Sequence, residues 1–253
     1  MTTRRRFYAP PEAVALKQQT IKLSSDETRH ARNALRLQPG DEVYVIDGEG
    51  REYRCRLAAY DRNAARLELI EQVEAARSES PLSLTLALAL LKGEKFDLVV
   101  QKATELGVWR VVPIVTARAD VRVGDANEAK RKRERWRRIA LESTKQCGRA
   151  RIMEIEAPVA FESLIKAEHD RELKLMFAER RGISLTGLVA GLASCPKQII
   201  ALVGSEGGWT DDEISQAHDH HWQVVTLGGR TLRAETASIA IAALLQHAFG
   251  DLV

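Results

Sequence analysis

The sequence has no long hydrophobic run and few cysteines. No stretch approaches the ~18 consecutive apolar residues of a membrane-spanning helix, and the first residues, with three consecutive arginines, contain no apolar signal segment. Cys55, Cys147 and Cys195 are odd in number and far apart, which matches neither a disulfide framework nor zinc-ligand spacing. We therefore expect a cytoplasmic protein that does not bind a membrane.

The usual nucleotide-binding and metal-binding motifs are also missing. No predicted strand is followed by G-x-G-x-x-G or by a P-loop, which disfavours a nicotinamide-dependent dehydrogenase. His218, His220 and His221 lie at a predicted helix end without a carboxylate-rich partner motif, so we expect no metal site. With 253 residues, 45% of them hydrophobic, the chain has enough apolar material for one large core or two smaller ones.

Positive charge is concentrated in one segment. The net charge is only +3, yet residues 118–151 hold 12 lysines and arginines against 5 aspartates and glutamates. Such a segment suggests a contact with a polyanion, nucleic acid being the first candidate. A solvated helix face is the alternative for residues 130–138. Within it, Trp136 is expected to anchor an amphipathic helix, although it could instead stack on a base.

Two regions with different periodicities flank a polar stretch at residues 75–81, which ends in Pro81. Before it, residues 43–47, 51–60 and 64–73 predict short strands after a helix that begins near Ser24 and ends near Leu37. In the middle strand, Tyr53, Cys55 and Leu57 are expected to face inward, and residues 52, 54 and 56 to face solvent or a ligand. These features predict a β-rich, barrel-like domain over residues 1–75.

The second region, residues 80–253, alternates apolar strands with segments of helical length. Strands are predicted at 82–90, 111–115, 173–177, 199–204 and 224–227, and helices at 95–106, 127–146, 185–192, 211–220 and 235–249. This alternation predicts an α/β fold with a mostly parallel sheet covered by helices on both faces. Ligand sites are then expected beyond the carboxyl ends of the strands.

The loop at residues 204–213 is the first candidate ligand site. Gly204, Gly207 and Gly208 permit tight turns and close approach of a ligand to the backbone. Thr210 and Glu213 form a capping box, and the acidic first turn of the following helix disfavours a phosphate. A nucleoside-like or cationic ligand fits better, and a purely structural turn is the alternative.

A second loop, residues 227–236, also follows a predicted strand and opens a helix. It contains Gly228, Gly229, Arg230, Arg233 and Glu235. A surface turn with an internal salt bridge is the alternative interpretation, and the Ala-rich helix that follows could pack closely against another backbone.

The two loops, together with motifs along the whole chain, resemble bacterial 16S ribosomal RNA uridine N3-methyltransferases, the RsmE type within the SPOUT superfamily. The other motifs are residues 6–8 with Pro10, residues 30–36 before Gly40 and Asp41, and residues 92–95, 101–107 and 142–148. The chain departs from the family by having Ser205 where proline is usual, Thr231 where isoleucine is usual, and Ala119 where serine is more frequent.

The resemblance implies a PUA-like RNA-binding β-barrel domain followed by a SPOUT-type knotted methyltransferase domain with a parallel sheet and a C-terminal trefoil knot. It also implies a homodimer that binds S-adenosylmethionine, largely through backbone groups. Its substrate is 16S ribosomal RNA or the assembled small subunit, methylated at N3 of the uridine numbered 1498 in the usual bacterial scheme. The cofactor-binding residues carried over from the family are Leu202, Gly204, Glu206, Gly207, Gly208, Leu227, Gly228, Leu232 and Arg233.

Methylation of uracil N3 requires loss of its proton, and the negative charge spreads to the flanking carbonyl oxygens. We expect Arg233 to stabilise that charge and Glu206 to orient the base or accept a proton; Arg6 and Glu235 are further candidates. Salt-bridge pairing of Arg233 with Glu235 is the structural alternative. The residues expected to contact RNA are Arg6, Arg54, Arg56, Arg118, Arg131, Lys132, Arg135, Arg138 and Arg149.

Two other functions stay open at this point. A knotted methyltransferase could modify another RNA atom, such as a ribose 2′-hydroxyl. A non-catalytic ribosome-assembly protein would keep the basic surface and lose cofactor binding. Mass spectrometry of digested RNA separates the first alternative, and titration with S-adenosylmethionine separates the second.

Overall fold

A computed structural model describes residues 4–121, 124–167 and 171–252. The chain divides into two compact units. The first unit comprises residues up to Glu79 together with Leu141–Ile152, and the second comprises Ser80–Ala140 together with residues from Met153 onward. Within the described ranges, no helix is long and apolar enough to cross a membrane.

The first unit is built around a six-stranded mixed sheet. Its elements are β1 (Arg6–Tyr8), β2 (Val14–Ala15), β3 (Thr20–Lys22), α1 (Ser25–Arg29, continued by a π-helical turn at His30–Ala34), β4 (Glu42–Ile46), β5 (Glu52–Tyr60) and β6 (Ala65–Val73). The strand order is β1-β4-β5-β6-β3-β2, and only the β1–β4 pair is parallel. The three strands predicted from the sequence correspond to β4, β5 and β6.

Strand β5 confirms the inward half of the predicted alternation; in the outward half Arg56 is exposed and Arg54 partly exposed, whereas Glu52 departs from the prediction. Tyr53, Cys55 and Leu57 lie in the core of the first unit with 2% exposure or less, and burial raises the pKa of the Cys55 thiol to about 12. Glu52, expected to face solvent or a ligand, is fully buried and accepts hydrogen bonds from Arg6. The prediction failed because periodicity says nothing about a buried ionic partner from another strand.

The second unit is built around an eight-stranded parallel sheet. Its elements are β7 (Ser83–Ala89), α2 (Lys95–Glu105), β8 (Arg110–Val115), α3 (Ala126–Cys147, whose residues from 141 on belong to the first unit), β9 (Glu154–Ile155), β10 (Val159–Ala160), α4 (Phe161–Ala167), β11 (Leu173–Phe177), β12 (Ile183–Ser184), α5 (Leu185–Gly191), β13 (Gln198–Val203), α6 (Asp211–Asp219), β14 (Gln223–Thr226) and α7 (Ala234–Phe249). The order is β10-β8-β7-β13-β11-β14-β12, and β9 pairs with β8. All predicted strands and helices of this region are present, whereas β9, β10, β12 and α4 were not predicted.

Strand order explains where this sheet can bind a ligand. The strand β11 lies between β13 and β14, which both follow it in the chain, so the strand order reverses there. In the registers, Phe177 is opposite both Val203 and Val225. The loops after β11, β13 and β14 therefore leave the sheet side by side at its carboxyl edge, where open α/β sheets bind ligands.

One part of the expected division of the chain differs from the structure. The sequence places residues 141–152 in the domain that begins at residue 80, whereas they pack with the first unit. Arg6 shows how they are held: its guanidinium donates hydrogen bonds to the carbonyl oxygens of Thr144, Lys145 and Arg149 at 3.2, 3.2 and 2.7 Å. The last carbonyls of a helix lack intrahelical donors, so Arg6 caps the end of α3.

Candidate functional site

A pocket of about 420 Å³ opens at the carboxyl edge of the parallel sheet. Its walls come from the loops after β11, β13 and β14, from the first turns of α7, and from Arg118 in the loop after β8. Both loops singled out from the sequence line it. The sequence reasoning missed the third loop, residues 178–180, although the end of the predicted strand 173–177 was a usable signal.

The loop after β13, residues 204–210, is fixed at its far end by Trp209. This side chain is 4% exposed, and its indole N–H donates to the carbonyl of Phe177, the last residue of β11, at 2.8 Å. The ring lies so close to Gly204 that an added Cβ would meet it at 3.1 Å. Trp209 therefore packs against the backbone of the loop and ties it to the neighbouring strand.

The capping box predicted at residues 210–213 is present. The Thr210 hydroxyl accepts from the Glu213 backbone N–H at 3.1 Å, and the Glu213 carboxylate accepts from the Thr210 backbone N–H at 2.8 Å. The same carboxylate also accepts from the backbone N–H of Ala117 at 2.9 Å. Glu213, 3% exposed, thus joins the loop after β8 to the start of α6.

Two of the four predicted cofactor-binding glycines have a backbone that favours glycine, and the other two, Gly204 and Gly207, do not. Gly208 and Gly228 adopt φ of +63° and +74°, and the space a Cβ would occupy is open at both. Gly207 does not have a positive φ; a Cβ there would lie 2.9 Å from the Cβ of Arg118 and 3.0 Å from its carbonyl oxygen. A protein neighbour therefore accounts for the glycine at position 207.

Glu206 lines the pocket and is held by a lysine that the sequence reasoning did not assign to the site. Lys95 Nζ lies 2.6 Å from Glu206 Oε1 and 3.8 Å from Glu235 Oε2. Partial burial acts to raise the pKa of Glu206, but the hydrogen bond from Lys95, a hydrogen bond from its own backbone N–H and the charge of Lys95 together outweigh it, so that this pKa lies below its usual value. The hydrogen bond to Glu206 raises the pKa of Lys95. Both groups are therefore ionised at neutral pH.

Arg233 lies at the N-cap of α7 and lines the pocket. It is exposed, and within the described residues it has neither an ion pair nor a side-chain hydrogen bond. Glu235, the partner of the structural alternative, lies beside Lys95 instead. The Arg233–Glu235 salt bridge is thus not formed, and the guanidinium is available to a ligand.

The other predicted cofactor residues fall into two groups. Leu227, Gly228 and Leu232 line the pocket, as do Gly204 and Gly208. Leu202 does not: its side chain is fully buried in the hydrophobic core, and the next residue, Val203, lines the pocket. Alternation along β13 places neighbouring side chains on opposite faces of the sheet, which explains why Val203 rather than Leu202 lines the pocket. Cofactor binding by the backbone of Leu202 stays a prediction.

Two arginines expected to contact RNA are buried. Arg6, with a side chain 5% exposed, donates to Glu52 and to three carbonyl oxygens. The Arg149 side chain, also 5% exposed, forms an ion pair with Glu79 at 2.7 Å. Both guanidinium groups are thus engaged by protein partners, which argues against the predicted RNA contacts of Arg6 and Arg149 and against a catalytic role of Arg6. These assignments stay predictions. In the same unit Arg54 pairs with Glu71, and Arg56 is exposed.

The cations of α3 differ in whether they are already paired. Lys132 pairs with Glu128 at 2.8 Å, and Arg135 pairs with Asp97. Arg131 and Arg138 are exposed and, in the described part of the chain, have no ion pair. Only these two of the four predicted contacts are free to bind phosphates.

Trp136 is the apolar anchor expected in this helix. It is 4% exposed, its ring centroid lies 4.2 Å from that of Phe96, and its indole donates to Asp97 at 3.0 Å. Stacking of Trp136 on an RNA base is thereby excluded.

Comparison with known proteins identifies the family. The family model described as an RNA methyltransferase domain matches residues 78–246, and that described as an RNA methyltransferase PUA domain matches residues 23–70. A ribosomal RNA small subunit methyltransferase E from Synechocystis is 34% identical over 94% of this chain and 76% of its own length. The chain belongs to the ribosomal RNA small subunit methyltransferase E family.

Other members of the methyltransferase E family agree in sequence and in structure. The Bacillus subtilis member is 30% identical, covering 87% of both chains. Crystal structures of the Neisseria gonorrhoeae methyltransferase E bound to S-adenosylmethionine and of a Legionella pneumophila methyltransferase bound to the same cofactor have TM-scores of 0.87 and 0.88. Both are 30% identical to this chain. The Neisseria match covers 99% of this chain and 100% of the Neisseria chain, and the Legionella match covers 98% of this chain and 99% of the Legionella chain. The predicted SPOUT-type knotted α/β fold with an N-terminal PUA-like domain is confirmed.

Proposed function

We propose that this methyltransferase E family member transfers a methyl group from S-adenosylmethionine to N3 of a uridine in small-subunit ribosomal RNA. The observation that carries the proposal is the pocket formed by three loops at the strand-order reversal, in a chain whose 30% identical structural neighbours were crystallised with this cofactor. The cytoplasm, where ribosomal subunits are found, stays the predicted location.

The pocket fits S-adenosylmethionine in size and in chemistry. Its volume of about 420 Å³ lies within the range of small-molecule sites. Gly208 and Gly228 leave open space beside their backbones, and the lining includes the carboxylates of Glu179 and Glu206 together with several arginines. This mixture suits a ligand with a nucleoside, two cationic groups and a carboxylate.

The residues of this chain meet the demands of methylation at N3. When bound, the cofactor supplies a methyl group on a sulfonium. As uracil N3 loses its proton to solvent water at the open pocket, negative charge develops on the two flanking carbonyl oxygens. Arg233 is exposed at the pocket without an intramolecular partner, so its guanidinium can donate to those oxygens as the charge appears. A donor already in place stabilises the transition state more than the ground state.

Glu206 is ionised and can therefore accept a hydrogen bond. The Lys95 ammonium keeps its carboxylate ionised at the pocket. A carboxylate with a lowered pKa is a weak base, so we assign Glu206 to orienting the substrate by accepting a hydrogen bond, rather than to carrying the proton away.

For RNA binding, we propose that exposed cations of α3 contact phosphates. Arg131 and Arg138 are seven residues apart on the same helix and therefore lie close to one face of it. Because neither is engaged in an ion pair within the described residues, contact with RNA does not require them to give up a protein partner.

We also propose that the protein forms a homodimer through α7. Ala237, Ala240 and Ala243 are only partly buried, and Leu244 is 41% exposed. Small side chains permit close approach of a second helix, and an apolar residue exposed beside them gains from burial. Light scattering of the wild type and of Leu244→Glu tests this: we expect a dimer that the substitution weakens, and a monomeric wild type would contradict it.

The decisive experiment supplies the purified protein with S-adenosylmethionine and either naked 16S ribosomal RNA or assembled small subunits. Nucleosides from digested RNA are then analysed by mass spectrometry. We expect one methyl group on a uracil base. A methyl group on ribose would instead indicate a methyltransferase acting on the 2′-hydroxyl. RNA binding without any binding of S-adenosylmethionine would indicate an assembly protein.

A further inference from the structure

The loop after β13 carries an alternating pattern of hydrogen bonds along its backbone. In the peptide group between Gly207 and Gly208, the carbonyl accepts from Arg118 Nη1 at 3.2 Å and the N–H donates to the carbonyl of Ser205 at 2.9 Å. In the peptide group between Trp209 and Thr210, the carbonyl accepts from the same Arg118 Nη1 at 3.2 Å and the N–H donates to Glu213. Both ends of these two peptide groups are therefore held by protein partners.

The peptide groups between them are different. The groups joining Glu206 to Gly207 and Gly208 to Trp209 have no hydrogen bond to any residue that the structure describes. All four residues line the pocket. Glu206 and Gly207 are exposed and Gly208 is partly exposed, so these peptide groups can bind a ligand without giving up a protein partner.

Arg118 is held by the loop in return. The Ser205 hydroxyl donates to the carbonyl of Arg118 at 3.2 Å, and the backbone at Gly207 packs directly against Arg118. Its neighbour Ala117 is held by Glu213. Arg118 therefore has a defined position even though its side chain is partly exposed.

We propose that Arg118 is a positioning residue for the cofactor loop rather than a contact for RNA. By holding alternate peptide groups, it presents the intervening ones to S-adenosylmethionine. This inference rests on the proposed function, because it concerns the same pocket. It predicts that loss of the guanidinium weakens binding of the cofactor and leaves binding of RNA unchanged.

The test measures two affinities of the same full-length variants. Titration calorimetry gives the Kd for S-adenosylmethionine, and fluorescence anisotropy gives the Kd for 16S ribosomal RNA at several salt concentrations. We expect Arg118→Ala to raise the Kd for the cofactor about tenfold, since two hydrogen bonds from a charged donor are lost. Ser205→Ala, which removes one neutral hydrogen bond, is expected to raise it about threefold.

Steady-state kinetics separate positioning from a general loss of structure. Arg118→Ala is expected to raise KM for S-adenosylmethionine with little change in kcat, as when uniform binding is removed. Arg118→Lys should restore part of the affinity, because an ammonium still donates but lacks the planar fork. The matched control is Arg62→Ala, an exposed arginine in the turn between β5 and β6, which should leave the cofactor Kd unchanged.

The outcomes distinguish this inference from the function on which it rests. A wild-type protein that binds no S-adenosylmethionine would refute the proposed function, and the inference with it. If the wild type binds the cofactor and Arg118→Ala binds it equally well, the inference alone fails. It also fails if Arg118→Ala lowers RNA affinity and its salt dependence while the cofactor Kd stays the same, since Arg118 would then be an RNA contact.

Discussion

Replacing Arg6 with alanine tests whether this arginine stabilises the first unit or serves the substrate. Its side chain is 5% exposed and donates to both carboxylate oxygens of Glu52, at 3.2 and 3.1 Å, and to three carbonyl oxygens at and beyond the end of α3. Arg6→Ala removes all these donors. Among the residues that the structure describes, Glu52, itself fully buried, would keep only Arg4 and the backbone N–H of Ala76.

The expected loss of stability is large for a single substitution. Removing one partner of a buried ion pair costs about 3–5 kcal/mol, and Arg4, with a side chain 31% exposed, compensates the remaining charge of Glu52 only in part. For a chain of this size, each kcal/mol lowers the melting temperature by about 2–4 °C, so we expect a fall of roughly 6–20 °C. The matched control is Arg4→Ala, which loses a contact to the same carboxylate at 3.2 Å from a side chain that is 31% exposed. It should cost about 1 kcal/mol or less.

The assay must report on the first unit by itself. All four tryptophans lie in the second unit, so their emission follows that unit. Amide hydrogen exchange of β1 and of residues 141–147 follows the first. We expect Arg6→Ala to raise exchange rates in both segments. If the variant unfolds with wild-type stability and yet binds RNA or methylates it poorly, our interpretation of Arg6 is refuted and the substrate role expected from the sequence is correct.

Three further predictions concern the pocket and α3. Arg233→Ala should lower kcat about 100-fold with little change in KM, since a donor to a developing oxyanion is lost; single-turnover methylation measures this. Replacing Arg131 and Arg138 together with glutamine should flatten the salt dependence of RNA binding, by up to ~0.9 log units per lost phosphate contact on duplex. Lys95→Met should raise the pKa of Glu206, because the hydrogen bond and charge of Lys95, which help to outweigh burial, are removed. A carboxyl group whose pKa is lower in the folded than in the unfolded state stabilises the folded state at pH values above its unfolded-state pKa, about 4.3. The stability difference between wild type and Lys95→Met should therefore shrink as pH falls below ~4.

Each of these predictions has its own control. Arg233→Lys should recover part of the rate, and a near-wild-type rate for Arg233→Ala would contradict the catalytic role. Replacing the paired residues Lys132 and Arg135 with glutamine should change the salt slope less than the Arg131 and Arg138 substitutions do; an equal change would mean that pairing does not matter. For Lys95→Met, denaturation at a series of pH values is the measurement, and a stability difference independent of pH would contradict the link to Glu206.

Local patterns sufficed for the elements and for two of the pocket loops. The predicted strand 173–177 agrees with β11 residue for residue, because all of its residues except Lys174 are apolar and buried. The two-residue strands β9, β10 and β12 are too short to show any period. Strand order is not a local property, so the sequence did not reveal that the loop after β11 joins the pocket.

Most differences between the predicted and the observed site concern charged residues whose ion-pair partners lie far away in the sequence. Arg6 and Glu52 are 46 residues apart, and Lys95 and Glu206 are 111 apart. An arginine that binds a phosphate and one that caps a helix have the same composition and similar neighbours in the sequence. Only the fold decides between them, by burying Arg6 and leaving Arg233 exposed.

The discontinuous first unit has a consequence for how this protein is made. Its strands are complete by Val73, but Leu141–Ile152, with the carbonyl oxygens that Arg6 caps, are synthesised only after β7, α2 and β8 of the second unit. A nascent chain therefore holds an unfinished N-terminal unit, in which Arg6 already has Glu52 but lacks its three carbonyl acceptors, until Ile152 has left the ribosome. We therefore expect the first unit to complete its fold only after part of the second has been synthesised. For the same reason, a fragment cut at Glu79 lacks part of the first unit, and we expect it to be less stable than that unit in the full chain.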